Sequence, residues 1–180
     1  MAALASKLLA IALLLGGGAT PTSIWVDVPF VRQPREGCGA ASIAMVMQYW
    51  MAHGSPVDPE RAEVSAIQRF LFSPAAHGIT ARHMERYFQE SGFRTFAFEG
   101  QWSDFHEQLA RGRPLIVCLR ESRPGPLHYV VVAGIDEQDD LALINDPAQR
   151  KLLKLRRAVF EKDWMASGFW TLLAVPQTTQ

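Results

Sequence analysis

Cysteine is scarce in this chain. Cys38 and Cys118 are the only two among 180 residues, and 80 positions separate them. Two thiols build no disulfide framework, and that separation is no metal-ligand spacing. A surplus of charge is also lacking, since 18 Lys and Arg stand against 18 Asp and Glu. A nucleic-acid protein would carry a basic excess, so that class is disfavoured. No glycine-rich phosphate loop follows a strand, and the Gly-x-Ser-x-Gly pattern of a serine nucleophile is missing. No two of the five histidines stand four apart, and no cysteine joins them. Metal, nucleotide and other cofactors are therefore not expected. Repeats and low-complexity linkers are absent too, and 48% hydrophobic with 20% charged residues is globular composition.

Long hydrophobic runs are wanting as well. Leu8 to Leu15 is a stretch of eight, well short of the roughly 20 residues that span a bilayer. Lys7 precedes it and the small residues Gly16 to Ala19 follow. A short basic start, a brief apolar core and a small-residue exit describe a secretory signal peptide, residues 1–19, cut after Ala19. The expected product is one exported domain, residues 20–180, periplasmic or extracellular. An uncleaved membrane anchor is the alternative. No cysteine follows the run to carry a lipid.

The first half of that domain reads as helical. Asp27 to Phe30 is an extended entry, and Ala40 to Trp50, free of Pro and Gly, is a buried helix with Ala41, Ala44, Met45 and Met47 on its apolar face. Asp58-Pro59 caps and opens a second helix, with Ile67, Phe70 and Leu71 as its inward stripe. Thr80 caps a third helix, closed by Gly92, and Ser103 caps a fourth, with Phe105 and Leu109 inward. Then the period changes to strands: 114–119, 128–133, 141–145, 151–155 and 168–175, with a short helix at 160–164. Helices first and an antiparallel sheet later make an α+β fold.

Cys38 sits between Gly37 and Gly39 at a predicted helix start. Free N–H groups and the positive dipole end favour thiolate over thiol there, and the thiolate is the nucleophile. A buried apolar role is the alternative for any free cysteine. That role suits Cys118, inside an unbroken apolar strand. Gln33, five residues before Cys38, is either a solvated loop residue or an amide that folds back, with the Cys38 N–H, onto an oxyanion. His128 opens a strand and Asp146 ends its expected partner, so the carboxylate can reach the far ring nitrogen of the imidazole. The competing role for Asp146-Pro147 is a plain turn. Asn145 is a nearby orienter but alternates to the other face. His83 and His106 fall on predicted solvent-facing positions, and His53 and His77 in loops.

Two stretches carry a family resemblance. Val28 to Gln33 followed by Gly37-Cys38-Gly39-Ala40-Ala41 resembles the opening motif of the bacteriocin-processing, double-glycine cysteine peptidases, in particular their stand-alone members. Gly112 to Val117, then His128 to Gly134, then Ile144-Asn145-Asp146-Pro147, is similar to that family's strand, His and Asp motifs. Ala40 stands where the family often has Pro. The resemblance implies a papain-like fold, with a helical part carrying the cysteine packed on an antiparallel sheet carrying His and Asp. It implies Cys38 as nucleophile, His128 as general base and then acid, Asp146 as orienter, and Gln33 in the oxyanion hole. A peptide or protein substrate is expected, cut after small residues such as Gly-Gly. The alternatives are a non-catalytic peptide-binding domain on the same fold, or a thiol-dependent amidase or transpeptidase acting on cell-wall peptide. Loops 73–79 and 120–127 are expected to flank the cleft.

Overall fold

A computed structural model of the chain describes residues 23–120 and 125–177. The signal-peptide reading of residues 1–19 and part of the second flanking loop lie outside the described residues. The centre is a seven-stranded antiparallel sheet. Its strands are β1 (Ser23–Trp25), β2 (Phe93–Glu99), β3 (Leu115–Leu119), β4 (His128–Asp136), β5 (Leu141–Asn145), β6 (Leu153–Arg156) and β7 (Trp170–Pro176). They run in the order β2-β7-β3-β4-β5-β6, with β1 added alongside the end of β4. The β4–β5 hairpin forms where expected, and its acidic turn is tied by Asp136 Oδ1, which accepts from the N–H groups of Gln138 and Asp139.

Helix α1 (Cys38–Ala52) packs on one face of the sheet, beside α2 (Val64–Leu71) and α3 (Ala81–Glu90). Every residue from Gly39 to Met47 is buried, so α1 is the central, buried helix expected from its sequence. Its far end is fixed by the Tyr49 hydroxyl donating to the Gly112 carbonyl at 2.6 Å and the Trp50 indole donating to that of Ala174 at 3.1 Å. Helices α4 (Trp102–Ala110) and α5 (Arg157–Met165) cover the opposite face, where Phe105, Phe160 and Trp164 pack against Val117, Val130 and Val132.

Several expectations shift in detail. Asp58 caps only a 3-10 turn at Pro59–Ala62, and Glu63 starts α2 afresh by accepting from Ser65 N–H. Phe70 is not part of the buried stripe: it is 71% exposed, while Ile67 and Leu71 are buried. Ile67 and Leu71 are four apart and define the inward line, which leaves Phe70 at its solvent edge. Thr80 does cap α3, accepting from His83 N–H. Ser103 does not cap α4; the helix begins one residue earlier, and Asp104 receives the Gln101 N–H at 2.7 Å. Strand β2 has no counterpart in the sequence reading. It is an edge strand whose exposed Phe96 blurs the alternation that would have announced it.

Candidate active site

The site forms where the start of α1 meets the start of β4. Cys38 is the first residue of α1, and Ala41 N–H closes the first turn on the Gly37 carbonyl. The glycines on either side are required by close packing. A Cβ on Gly37 would lie 2.5 Å from Pro34, and one on Gly39 would lie 3.0 Å from Ile79. Both neighbours belong to the loops that frame the helix start, so the thiol is seated between fixed walls.

His128 and Asp146 come from adjacent strands. Val131 pairs with Asn145, so Asp146 follows directly beyond the paired end of β5. Alternation then turns Asn145 and Asp146 to opposite faces. Asn145 is buried and structural: its Nδ2 donates to the Val28 carbonyl and its Oδ1 accepts from Leu152 N–H. Asp146 meets the imidazole, with His128 Nε2 2.8 Å from Oδ1. That leaves Nδ1 for the thiol, and Cys38 lies close enough to the imidazole for each to shift the other's proton affinity. Asp146 is itself held by Ala148 N–H on Oδ1 at 2.9 Å and by Gln149 Nε2 on Oδ2 at 2.7 Å.

Electrostatics follow from this geometry. Burial pushes the Cys38 thiol up, but the His128 hydrogen bond, backbone bonds from Tyr129 and Gly39 and the imidazolium charge bring it below its ordinary value. Burial would lower His128, yet its bonds to Asp146 and Cys38, with both their charges, raise it to about 9. Burial opposes the ionised form of Asp146 as well. His128 and the donors from Ala148 and Gln149 outweigh it and hold the carboxyl below its usual range. A thiolate beside an imidazolium is the form this arrangement favours. Cys118 behaves in the opposite way: burial, then the nearby Cys38 charge, pushes it up to about 12, an inert thiol in the core.

Gln33 joins the same cavity, a cleft of about 510 Å³ that Cys38, His128 and Asp146 also line. Its backbone N–H donates to the Pro147 carbonyl at 3.0 Å, which ties the loop before the cysteine to the turn after the aspartate. Its side-chain Oε1 is buried and has no hydrogen-bond partner among the described residues. His77 from the first flanking loop and Pro126 and Leu127 from the second border the cleft. Gln149 was missed in the sequence. The signal available was its place three residues after Asp146, where a turn folds it back onto the carboxylate. His83 and His106 are exposed on their helices and away from the cleft. Among the described residues no cluster of His, Cys, Asp and Glu could hold a metal ion. No helix among them is long and apolar enough to cross a membrane.

The sequence and fold of the chain have matches among known proteins. Residues 25–171 fit the model of the Peptidase_C39 like family. The chain belongs to that family. Among solved structures, a C39-like peptidase from Bacillus anthracis superposes with a TM-score of 0.66 at 18% identity, covering 87% of this chain and 99% of that one. The peptidase domain of Streptococcus ComA, a bifunctional ABC transporter of a quorum-sensing pathway, gives 0.63 at 20% identity, covering 83% and 98%. A double-glycine motif protease from an AMS/PCAT transporter, in complex with its leader peptide, gives 0.61 at 21%, covering 85% and 94%. These neighbours show the papain-like C39 fold. No curated protein sequence matches the chain.

Proposed function

We propose that this C39-family chain is a cysteine peptidase whose nucleophile is Cys38. The observation that carries the reading is that Cys38, His128 and Asp146 line one cleft, with the imidazole held by a 2.8 Å bond to the buried Asp146. The thiolate attacks a peptide carbonyl and forms a C–S bond. The carbonyl oxygen becomes an oxyanion, received by the Cys38 N–H at the helix start and by the Gln33 amide group. His128 gives its proton to the leaving amine as the C–N bond breaks. The neutral imidazole then takes a proton from water, whose oxygen attacks the thioester and frees the acid. Asp146 keeps the ring oriented and stabilises the imidazolium at each return.

The substrate in this reading is a peptide or protein, cut after small residues such as Gly-Gly. The neighbour bound to a leader peptide supports that class. Export after removal of residues 1–19 completes the proposal. The test is digestion of a peptide library by the purified chain, with cut sites identified by mass. Cleavage that vanishes in Cys38→Ala, while melting stays near wild type, supports the mechanism; undiminished cleavage in that variant refutes it.

A further inference from the structure

Glu36 stands at the rim of the same cleft in a conformation that glycine would adopt more easily. Gly37 N–H donates to the Pro34 carbonyl at 3.0 Å, closing a β-turn across Arg35 and Glu36. Glu36 is the third residue of that turn, with φ of 54°. A turn of this kind favours glycine there, and a side chain in the left-handed region is strained. The residue facing it is also left-handed: His77 has φ of 48°. Its Nδ1 lies 3.4 Å from Glu36 Oε1. His77 rides on a loop pinned by a backbone pair, Ser73 N–H to the Gly78 carbonyl at 2.9 Å and the reverse at 3.3 Å. Both side chains line the cleft with Cys38, on a framework whose two halves are fixed.

The charge of the lining has one sign. The Cys38 thiolate and His128 imidazolium cancel, which leaves the carboxylates of Asp146 and Glu36. Asp146 is enclosed by donors, whereas the Glu36 side chain is 39% exposed at the mouth. Among the described residues neither Lys nor Arg lines the cleft; Arg32 and Arg35 precede Glu36 in sequence but do not border the cavity. We infer that Glu36 is a specificity residue that selects peptides carrying a lysine or arginine close to the bond cut. The inference rests on the peptidase reading above and adds a substrate class to it. His77 stands 3.4 Å from one carboxylate oxygen, on the rim of the cleft that peptide would enter. Retaining a strained glutamate at the cleft, where glycine would relieve the turn, is what a recognition role explains.

The experiment compares kcat/KM for three peptide sets of one backbone, with Lys, Gln or Glu placed in turn at each position around the scissile bond. An exposed ion pair contributes up to about 1 kcal/mol, so one position should favour Lys over Gln by about fivefold. Glu should be disfavoured there by a similar factor. In Glu36→Gln that ratio should fall to about one. Glu36→Gly should lose the preference equally while melting higher than wild type, a combination a purely structural role for the side chain does not produce. Equal rates for the three peptides in the wild-type chain, or a preference that survives in Glu36→Gln, would overturn the inference and leave the peptidase reading standing. No cleavage of any peptide would refute both.

Discussion

Replacing Asp146 by Ala tests the electrostatic core of the site. His128 is raised from 6.5 to about 9. At 1.36 kcal/mol per pH unit, that gap corresponds to roughly 3 kcal/mol of imidazolium stabilisation. Asp146 and Cys38 share it, each through a hydrogen bond and a charge, so Asp146 supplies on the order of 1–2 kcal/mol. Its loss lowers the population of the thiolate–imidazolium pair by about tenfold or more. The readout is the rate of Cys38 alkylation by iodoacetamide as a function of pH. The alkylation rate near pH 7 should fall because less of the pair is ionised, and kcat/KM at pH 7 should drop by about 10- to 100-fold. The Ala148 and Gln149 donors are left unpaired, costing about 1–3 kcal/mol of stability, so melting is followed alongside. Asp146→Asn, which keeps a hydrogen-bonding oxygen but no charge, should fall between the two. An alkylation profile in Asp146→Ala that coincides with wild type would show that His128 and Cys38 form the pair without Asp146, and the reasoning would fail.

Other expectations concern neighbouring parts of the molecule. Gln149→Ala removes the 2.7 Å bond to Asp146 Oδ2; kcat should fall several-fold with KM nearly unchanged, and Gln149→Glu should be worse than Ala because it sets two carboxylates together. The stability of the wild-type chain should change little between pH 6.5 and 9. Folding raises the His128 proton affinity and lowers that of Cys38, and the two proton counts offset each other. Cys38→Ala leaves His128 raised by Asp146 alone, a contribution complete below 6.5 and lost as pH rises through a folded value lower than in the wild type. Urea titrations of that variant should therefore show stability falling with pH across that window; a flat profile would contradict the assignment. Gly134→Ala places a Cβ 2.6 Å from Trp25 Cβ and 2.8 Å from the Ile24 carbonyl oxygen, so β1 must shift and melting should reveal a loss of about 1–3 kcal/mol. Phe105→Ala empties a fully buried site between α4, α5 and the sheet and should cost about 3–5 kcal/mol by denaturant unfolding, with alkylation of Cys38 unchanged.

The strand and helix signals that proved dependable were those with a strong local cause. Thr80 caps α3 because a hydroxyl satisfies an N–H three residues on, a contact complete within one turn. Val130, Val131 and Val132 make β4 because β-branched residues suit a fully buried strand. Phe70 and β2 were misjudged because which side of α2 faces solvent, and which edge β7 leaves open, depend on partners far away in the chain.

By itself the sequence determined the setting of Cys38, a cysteine between glycines at a helix start. It also determined the spacing that lets Asp146 reach His128, since a hairpin with one short turn brings the two strand ends together. Tertiary structure decided which of Asn145 and Asp146 turns to the imidazole, through the register of β5 against β4. It decided that Gln149 backs the aspartate, that Cys118 is inert, and that Glu36 and His77 share the rim of the cleft. Those outcomes rest on burial and on distances between segments remote in sequence, quantities that no local pattern carries.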